Sequence, residues 1–183
     1  MALKKEQKIE LLLENIEILK ENIEENAYSI GNALEKLIKF NSDIAFDVWV
    51  NLLRNKKVLK EYALTQSMIY NFSEDSPDKM VDFILANSDE YNKLIKSPEY
   101  DVCSFGNMAR HLINQEKIQN INDVITKLLS TKGNKVSFMG DVLNELDDDN
   151  VSEDLTEMLL FHINSFKNKQ EKAKLITYII DYI

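Results

Sequence analysis

The spacing of apolar residues decides the fold, and it is clearest in residues 30–38, IGNALEKLI. The apolar residues of this stretch lie at positions i, i+3, i+4, i+7 and i+8, namely Ile30, Ala33, Leu34, Leu37 and Ile38. This spacing is typical of one buried stripe on an α-helix. The same period recurs along almost the whole chain, and no segment is a convincing β-strand. The sequence therefore predicts an all-α protein, with about ten helices joined by short connections in a single all-helical domain over residues 1–183.

Glycine and proline are scarce, with 4 and 2 among the 183 residues, and their positions agree with this prediction. Ser76-Pro77 and Ser97-Pro98 each place an N-cap serine before a proline at the first helical position, where the missing N–H costs nothing. Gly133 follows an apolar stripe and is expected to end a helix. So few turn residues exclude a β-sandwich and the glycine-rich loops of nucleotide-binding folds, and the single cysteine excludes a disulfide framework.

Four segments begin with polar cap residues and an acidic residue, and each is followed by an apolar stripe and then by a second helix about 15–20 residues later. They start at Asn41-Ser42-Asp43, Ser76-Pro77-Asp78, Asn120-Ile121-Asn122-Asp123 and Ser152-Glu153-Asp154. Their acidic residues are 35, 45 and 31 positions apart. Helix pairs that repeat every 30–47 residues or so, roughly this period, stack into α-solenoids.

This arrangement, which covers about residues 27–183, resembles degenerate HEAT or armadillo repeats, although no proline or arginine recurs from segment to segment. The resemblance implies an α-solenoid-like superhelix of stacked helical hairpins. Polar positions such as Lys60, Gln66 and Arg110 would then line the concave face. An irregular helical bundle is the alternative, because acidic residues near helix starts satisfy caps and the helix dipole in any helical fold.

The chain is acidic, with 31 Asp and Glu against 22 Lys and Arg and a formal net charge of −9. The excess is greatest in residues 98–150, which carry 9 acidic and 5 basic residues. A negative surface repels the phosphate backbone, which argues against nucleic-acid binding. It attracts a basic protein partner, because opposite fields steer association.

The densest acidic cluster comprises Glu145, Asp147, Asp148, Asp149, Glu153 and Asp154, with Asp141 one helical turn before it. A calcium loop of the EF-hand type does not fit, since counting from Asp147 puts Ser152 at the sixth position and Met158 at the twelfth, where Gly and Glu are needed. Two interpretations of the cluster remain: a solvated loop between two helices, or a surface that docks a basic partner. We predict that these seven residues bind a partner.

No set of residues has the spacing of a catalytic or metal site. Neither His111 nor His162 has a Glu three residues before it or a second ligand four residues away, so zinc and di-iron sites are not expected. On a helix Cys103 would lie about 12 Å from His111, too far for a thiolate–imidazole hydrogen bond. We therefore predict no enzyme activity, no cofactor and no metal.

The first helix carries apolar residues at alternating spacings of three and four: Ile9, Leu12, Ile16, Leu19 and Ile23. Two heptads are fewer than a coiled coil needs, so packing on the protein's own core is favoured and a homodimer seam is the alternative. The N-terminus has no apolar h-region and no run is long enough to span a membrane, which predicts a cytoplasmic protein.

Together these features predict a non-enzymatic protein-binding module. The specific hypothesis is an immunity or inhibitor protein that neutralises a basic partner such as a toxin. A regulatory adaptor or oligomerising scaffold protein is the alternative, with helix-in-groove contacts as its means of binding.

Overall fold

The computed structural model describes residues 3–87, 104–130, 135–147, 149 and 151–183. Over these residues every regular element is helical and no β-strand is present, which confirms the all-α prediction. The number of helices is close to the number predicted. None of the described helices is long and apolar enough to cross a membrane. Ser97, Pro98, Cys103 and Gly133 lie outside the described residues, so the expectations for them stay predictions.

The chain divides into two compact units, residues 1–76 and 77–183, which we call the first and the second unit. The first contains α1 (Lys5–Leu19), α2 (Ile23–Phe40), α3 (Ser42–Leu52) and α4 (Gln66–Asp75), with 3-10 turns at Lys20–Asn22, Val58–Lys60 and Tyr62–Leu64. The second contains α5 (Pro77–Ala86), α6 (Ser104–Asn114), α7 (Ile118–Ser130), α8 (Lys135–Leu143), α9 (Glu153–Asn164) and α10 (Lys169–Ile179), with a 3-10 turn at Ile180–Tyr182. The single domain over residues 1–183 stays a prediction.

Helix α2 is central to the first unit, because it contacts α1, α3 and α4. Its predicted stripe is buried, with Ile30, Leu34 and Leu37 fully inaccessible to solvent. Gly31 lies on the same side, where an added Cβ would come within 3.0 Å of the carbonyl oxygen of Ala63. The absence of a side chain at Gly31 therefore lets the Tyr62–Leu64 turn pack directly on the α2 backbone.

Trp49 on α3 joins three elements of the first unit. Its side chain is fully buried, and its ring centroid lies 5.6 Å from that of Phe46 and 5.2 Å from that of Phe72 on α4. The indole Nε1 donates a hydrogen bond of 2.8 Å to the carbonyl oxygen of Leu64. The one polar atom of this large side chain is thus satisfied inside the core.

Helices two apart in the chain pack side by side in the second unit. Helix α7 contacts α5 and α9, and α8 contacts α6 and α10, while α5–α6, α6–α7, α7–α8 and α9–α10 also contact each other. Stacked helical hairpins produce contacts of this kind, since each helix meets its own partner and the matching helix of the next pair. Membership of a repeat family stays a prediction.

Three of the four predicted segments begin where a helix begins, at α3, α5 and α9. Asn41 caps α3, because its Oδ1 accepts a 3.1 Å hydrogen bond from the Ile44 amide, and Ser152 caps α9 in the same way. The fourth prediction was wrong, because α7 begins at Ile118 and Asn120 lies inside it. A tight turn ends α6 and leads directly into α7, so no separate cap segment is needed.

The prediction that Gln66 lines an exposed face was wrong. It is 2% exposed at the start of α4, and neither its Nε2 nor its Oε1 has a hydrogen-bond partner among the described residues. Its neighbour Thr65 is also buried, but the Thr65 hydroxyl donates a 2.9 Å hydrogen bond to the carbonyl oxygen of Glu61. The close packing of the preceding turn on α2 encloses this start of α4. Lys60 and Arg110 are exposed, and their place on a concave face stays a prediction.

Candidate partner-binding surface

Two turns of the second unit line one surface depression with a volume of about 670 Å³. One is the connection between α6 and α7, and the other is the connection between α8 and α9. We call this depression the acidic groove. Its lining residues are Ile113, Asn114, Glu116, Ile118, Asp147, Asp149, Val151, Ser152, Asp154 and Leu155.

The α6–α7 side of the acidic groove is fixed by a tight turn at Glu116. This residue has a φ of 55°, in the left-handed region that residues other than glycine rarely adopt. The turn closes with hydrogen bonds of 2.9 Å from the Glu116 amide to the Ile113 oxygen and 2.8 Å from the Lys117 amide to the Leu112 oxygen. A short turn therefore presents the Glu116 carboxylate between two apolar side chains, Ile113 and Ile118.

The α8–α9 side of the acidic groove is organised by local polar contacts. Asp147 Oδ1 accepts a 3.0 Å hydrogen bond from the Asp149 amide. Three residues later the Ser152 hydroxyl accepts a 3.2 Å hydrogen bond from the Leu155 amide and begins α9. Asp154 lies in the first turn of that helix, where the dipole favours a negative charge. Leu155 is 1% exposed, so its burial holds the carboxylates of this loop in position.

The acidic groove combines four carboxylates with apolar walls. Glu116, Asp147, Asp149 and Asp154 are all exposed. Two cations near them are engaged outside the groove, since Lys117 Nζ lies 2.6 Å from Asp78 Oδ1 and Arg110 pairs with Glu145. The groove therefore combines exposed carboxylates from two turns with a few apolar side chains.

The structure brings together some of the residues that the sequence predicted to bind a partner. Asp147, Asp149 and Asp154 line the acidic groove. Glu145 does not, because its carboxylate lies 2.5 Å from Arg110 Nε and its side chain is only 12% exposed. Asp141 is half-buried on α8, and Glu153 is exposed in the first turn of α9 but does not line the groove. Asp148 lies outside the described residues.

Glu116 is the groove residue that the sequence analysis missed. It is 31 positions from Asp147, in a stretch where it is followed at once by Lys117. Only the packing of α6 and α7 against the helices that follow brings the two turns to one side. The sequence pattern that indicates Glu116 is an acidic residue between two apolar stripes, which is typical of a short turn between two helices.

The two histidines have different environments. His162 is buried on α9, and its Nε2 lies 2.8 Å from Asn122 Oδ1 on α7. Burial lowers the pKa of His162 below its ordinary value of 6.5. His111 is only partly buried. Within the described parts of the chain, no three His, Cys, Asp or Glu side chains are grouped to hold a metal ion.

A second depression lies in the first unit, and its charged lining residues are two cations, Lys20 and Arg54, and one carboxylate, Glu17. It has a volume of about 480 Å³ and forms where the end of α1 and the start of α2 meet the end of α3. We call it the basic groove. Its lining residues are Ile16, Glu17, Lys20, Ile23, Val48, Asn51, Leu52, Arg54 and Asn55.

The predicted seam of the first helix is used inside the first unit. Ile16 is 1% exposed on α1, which packs on α2. The prediction that Ile23 belongs to the same helix was wrong, because α1 ends at Leu19 and Ile23, which is 3% exposed, begins α2 after a 3-10 turn. The large apolar residues that α1 leaves exposed are Leu11 and Ile18, at 59% and 68%. A homodimer through the first helix, which stays a prediction, would have to use this other face.

Comparison of the chain with protein-family models, with curated proteins and with solved structures finds no match.

Proposed function

We propose that this chain is a non-enzymatic protein-binding module, and that it is an immunity or inhibitor protein that neutralises a basic partner such as a toxin. The observation that carries the proposal is the acidic groove. Its carboxylates come from two separate turns and surround apolar side chains in one depression of about 670 Å³.

The charge of the groove suits the capture of a basic protein. Carboxylates at the rim of an interface raise the rate of encounter with a positive surface and penalise acidic partners. The net charge of −9 acts in the same direction over longer distances. A toxin whose working surface is basic, for example one that binds phosphates, would be blocked by an inhibitor of this kind.

The apolar walls supply what charge alone does not. Exposed ion pairs contribute little, whereas apolar side chains that become buried in an interface supply a favourable term that offsets the entropy cost of association. Ile118 and Val151 are half-buried at the groove and offer such surface to a partner. The partner should therefore present apolar residues among its cations.

A regulatory adaptor or oligomerising scaffold is the second candidate. The basic groove favours it, since a protein that only captures basic partners has no need of a depression rimmed by Lys20 and Arg54. The two candidates differ in what is bound, and the experiment below separates them.

The test compares two variants with the same change in net charge. The groove variant carries Glu116→Lys, Asp149→Lys and Asp154→Lys. The control carries Asp82→Lys, Glu157→Lys and Asp181→Lys, three exposed carboxylates of the second unit that do not line the groove. Wild type and control should retain a basic protein from the cells that make this chain, and the groove variant should lose it. If both variants lose the basic protein equally, net charge alone explains the binding, and the proposal is contradicted.

The inhibitor role is tested on the captured protein itself. Expressed alone it should arrest growth, and co-expression of the wild-type chain should restore growth while the groove variant should not. A captured protein that is harmless when expressed alone would contradict the inhibitor role and favour the adaptor.

A further inference from the structure

We propose that the basic groove of one molecule docks into the acidic groove of a second copy, so that the protein associates head to tail. The proposal uses the same acidic groove as the proposed function, but it needs no foreign partner. A second copy is the occupant, because the cations that begin at the basic groove complement the carboxylates of the acidic groove.

The basic groove has one cation in excess, because Lys20 and Arg54 line it together with Glu17, and a run of further cations follows it along the chain. Residues 54–60, RNKKVLK, contain four cations and no acidic residue, and they begin at the groove with Arg54. Arg54, Lys56 and Lys60 are exposed, and none of them forms an ion pair with another described residue. Positive charge is therefore concentrated at one edge of the first unit.

The cations of this edge that do have partners are paired weakly. Lys57 Nζ lies 3.5 Å from Glu24 Oε2, with both side chains more than half exposed, and Lys20 pairs with Glu17 three residues before it. Exposed pairs of this kind contribute little to stability. They can be exchanged for contacts with another molecule at small cost.

Both grooves place apolar side chains beside charged ones, so a contact between them would join opposite charges and bury apolar surface. Each is a depression with apolar walls and a charged rim, with volumes of about 480 and about 670 Å³. Ile16, Ile23 and Leu52 form the apolar part of the basic groove, while Asn51 and Asn55 add amide groups that can donate hydrogen bonds to carboxylates. A carboxylate-rimmed loop is the ligand that this combination suits.

Contacts between two different patches are heterologous, so each added copy leaves one groove of each kind unfilled. The average mass should therefore rise with protein concentration beyond that of a dimer, unless a ring closes. A foreign basic partner would compete for the same acidic groove, so its binding should dissolve the assembly. Self-association would then regulate how many acidic grooves are available.

The experiment is a charge swap followed by sedimentation at low ionic strength. The basic-groove variant carries Arg54→Glu, Lys56→Glu and Lys60→Glu, and the groove variant is the one defined above. Each alone should stay a monomer while wild type associates. Their equimolar mixture should regain at least twice the monomer mass, because each variant supplies the charge that the other has lost. Circular dichroism first confirms that both variants are folded.

Two controls limit the interpretation. The first control variant carries Lys5→Glu, Lys36→Glu and Lys39→Glu, at exposed positions of the first unit that do not line the basic groove. Its net charge changes by the same amount as that of the basic-groove variant, and it should associate as wild type does. Leu11→Glu with Ile18→Glu alters the exposed face of α1 and should also leave it intact. Loss of association in the α1 variant, or a mixture that stays monomeric, would overturn the proposal, as would a wild type that is monomeric at every concentration.

The two proposals fail in different ways. If the charge swap restores association but no basic protein is captured, the inhibitor function fails and the head-to-tail contact stands. If a basic protein is captured through the acidic groove but wild type never associates, the contact fails and the function stands.

Discussion

His162 on α9 and Asn122 on α7 join these two helices of the second unit through a hydrogen bond of 2.8 Å between the ring Nε2 and the amide Oδ1. An amide oxygen can only accept, so the neutral ring carries its proton on Nε2 and donates. The ring is 5% exposed, and burial lowers its pKa below 6.5. The contact between α7 and α9 is thus built around a neutral histidine.

This arrangement predicts that acid weakens the fold through His162. The unfolded chain takes up a proton near pH 6.5, whereas the folded chain does so only at lower pH. Stability is therefore complete above this pH and falls as the pH drops towards the folded pKa. Urea unfolding at about pH 7.5 and about pH 5.5 should show a smaller acid loss in His162→Gln than in wild type. His111→Gln is the control, and its free energy of unfolding should fall by as much as that of wild type between the two pH values. Equal losses in all three proteins would contradict the prediction.

Gly31 on α2 and Gly140 on α8 should respond oppositely to replacement by alanine. A Cβ on Gly140 of α8 meets nothing within 4 Å, so Gly140→Ala should raise the free energy of unfolding by about 0.5–1 kcal/mol through the helix propensity of alanine. A Cβ on Gly31 would meet the Ala63 oxygen at 3.0 Å, and Gly31→Ala should lower that free energy despite the same gain in propensity. Urea unfolding measures both. A stabilised Gly31→Ala variant would show that the turn can move away at no cost.

Gln66 and Thr65 form a second matched pair. Both are buried, but only the Thr65 hydroxyl has a partner, the Glu61 oxygen. Replacing the unpaired amide by an apolar side chain in Gln66→Leu should raise the free energy of unfolding by about 1–3 kcal/mol. Thr65→Val removes the hydrogen bond to the Glu61 oxygen and should lower the free energy of unfolding by about 1 kcal/mol. A destabilised Gln66→Leu variant would mean that the amide does bind a partner inside the first unit.

Trp49 makes it possible to test the predicted single domain. It is the one tryptophan of the chain and lies in the core of the first unit, so its fluorescence reports unfolding there. Circular dichroism reports the helices of both units. If residues 1–183 form one cooperative domain, the two urea transitions should coincide in midpoint and slope. Separate transitions would show that each unit unfolds by itself.

The sequence predicted those features that depend on neighbours along the chain. The stripe from Ile30 to Leu37 follows from spacing alone, because a helix turns by the same angle whatever surrounds it. The caps at Asn41 and Ser152 follow from residue type and position, since the short side chains reach an amide three residues later. Local rules of this kind suffice for an all-α protein.

Features that depend on distant residues were not predicted. The pairing of Arg110 with Glu145 joins positions 35 apart, and Glu116 and Asp147, 31 positions apart, line the same groove. These distances are set by how α6 and α7 pack on their neighbours, which no local spacing records. Gln66 was misjudged for the same reason, because a polar residue at a helix start is typical of a surface until a neighbouring turn covers it.

The last prediction separates two acidic residues that the sequence treated alike. Glu145 is 12% exposed and holds Arg110, so Glu145→Gln should lower the free energy of unfolding by about 1 kcal/mol and leave partner binding unchanged. Asp154 is exposed and lines the acidic groove, so Asp154→Asn should raise the dissociation constant of the captured basic partner about two- to five-fold. Urea unfolding and a binding titration at low salt measure the two effects. Weaker binding in both variants would show that the partner contacts Glu145 as well, and that the binding surface extends along α8 beyond the groove.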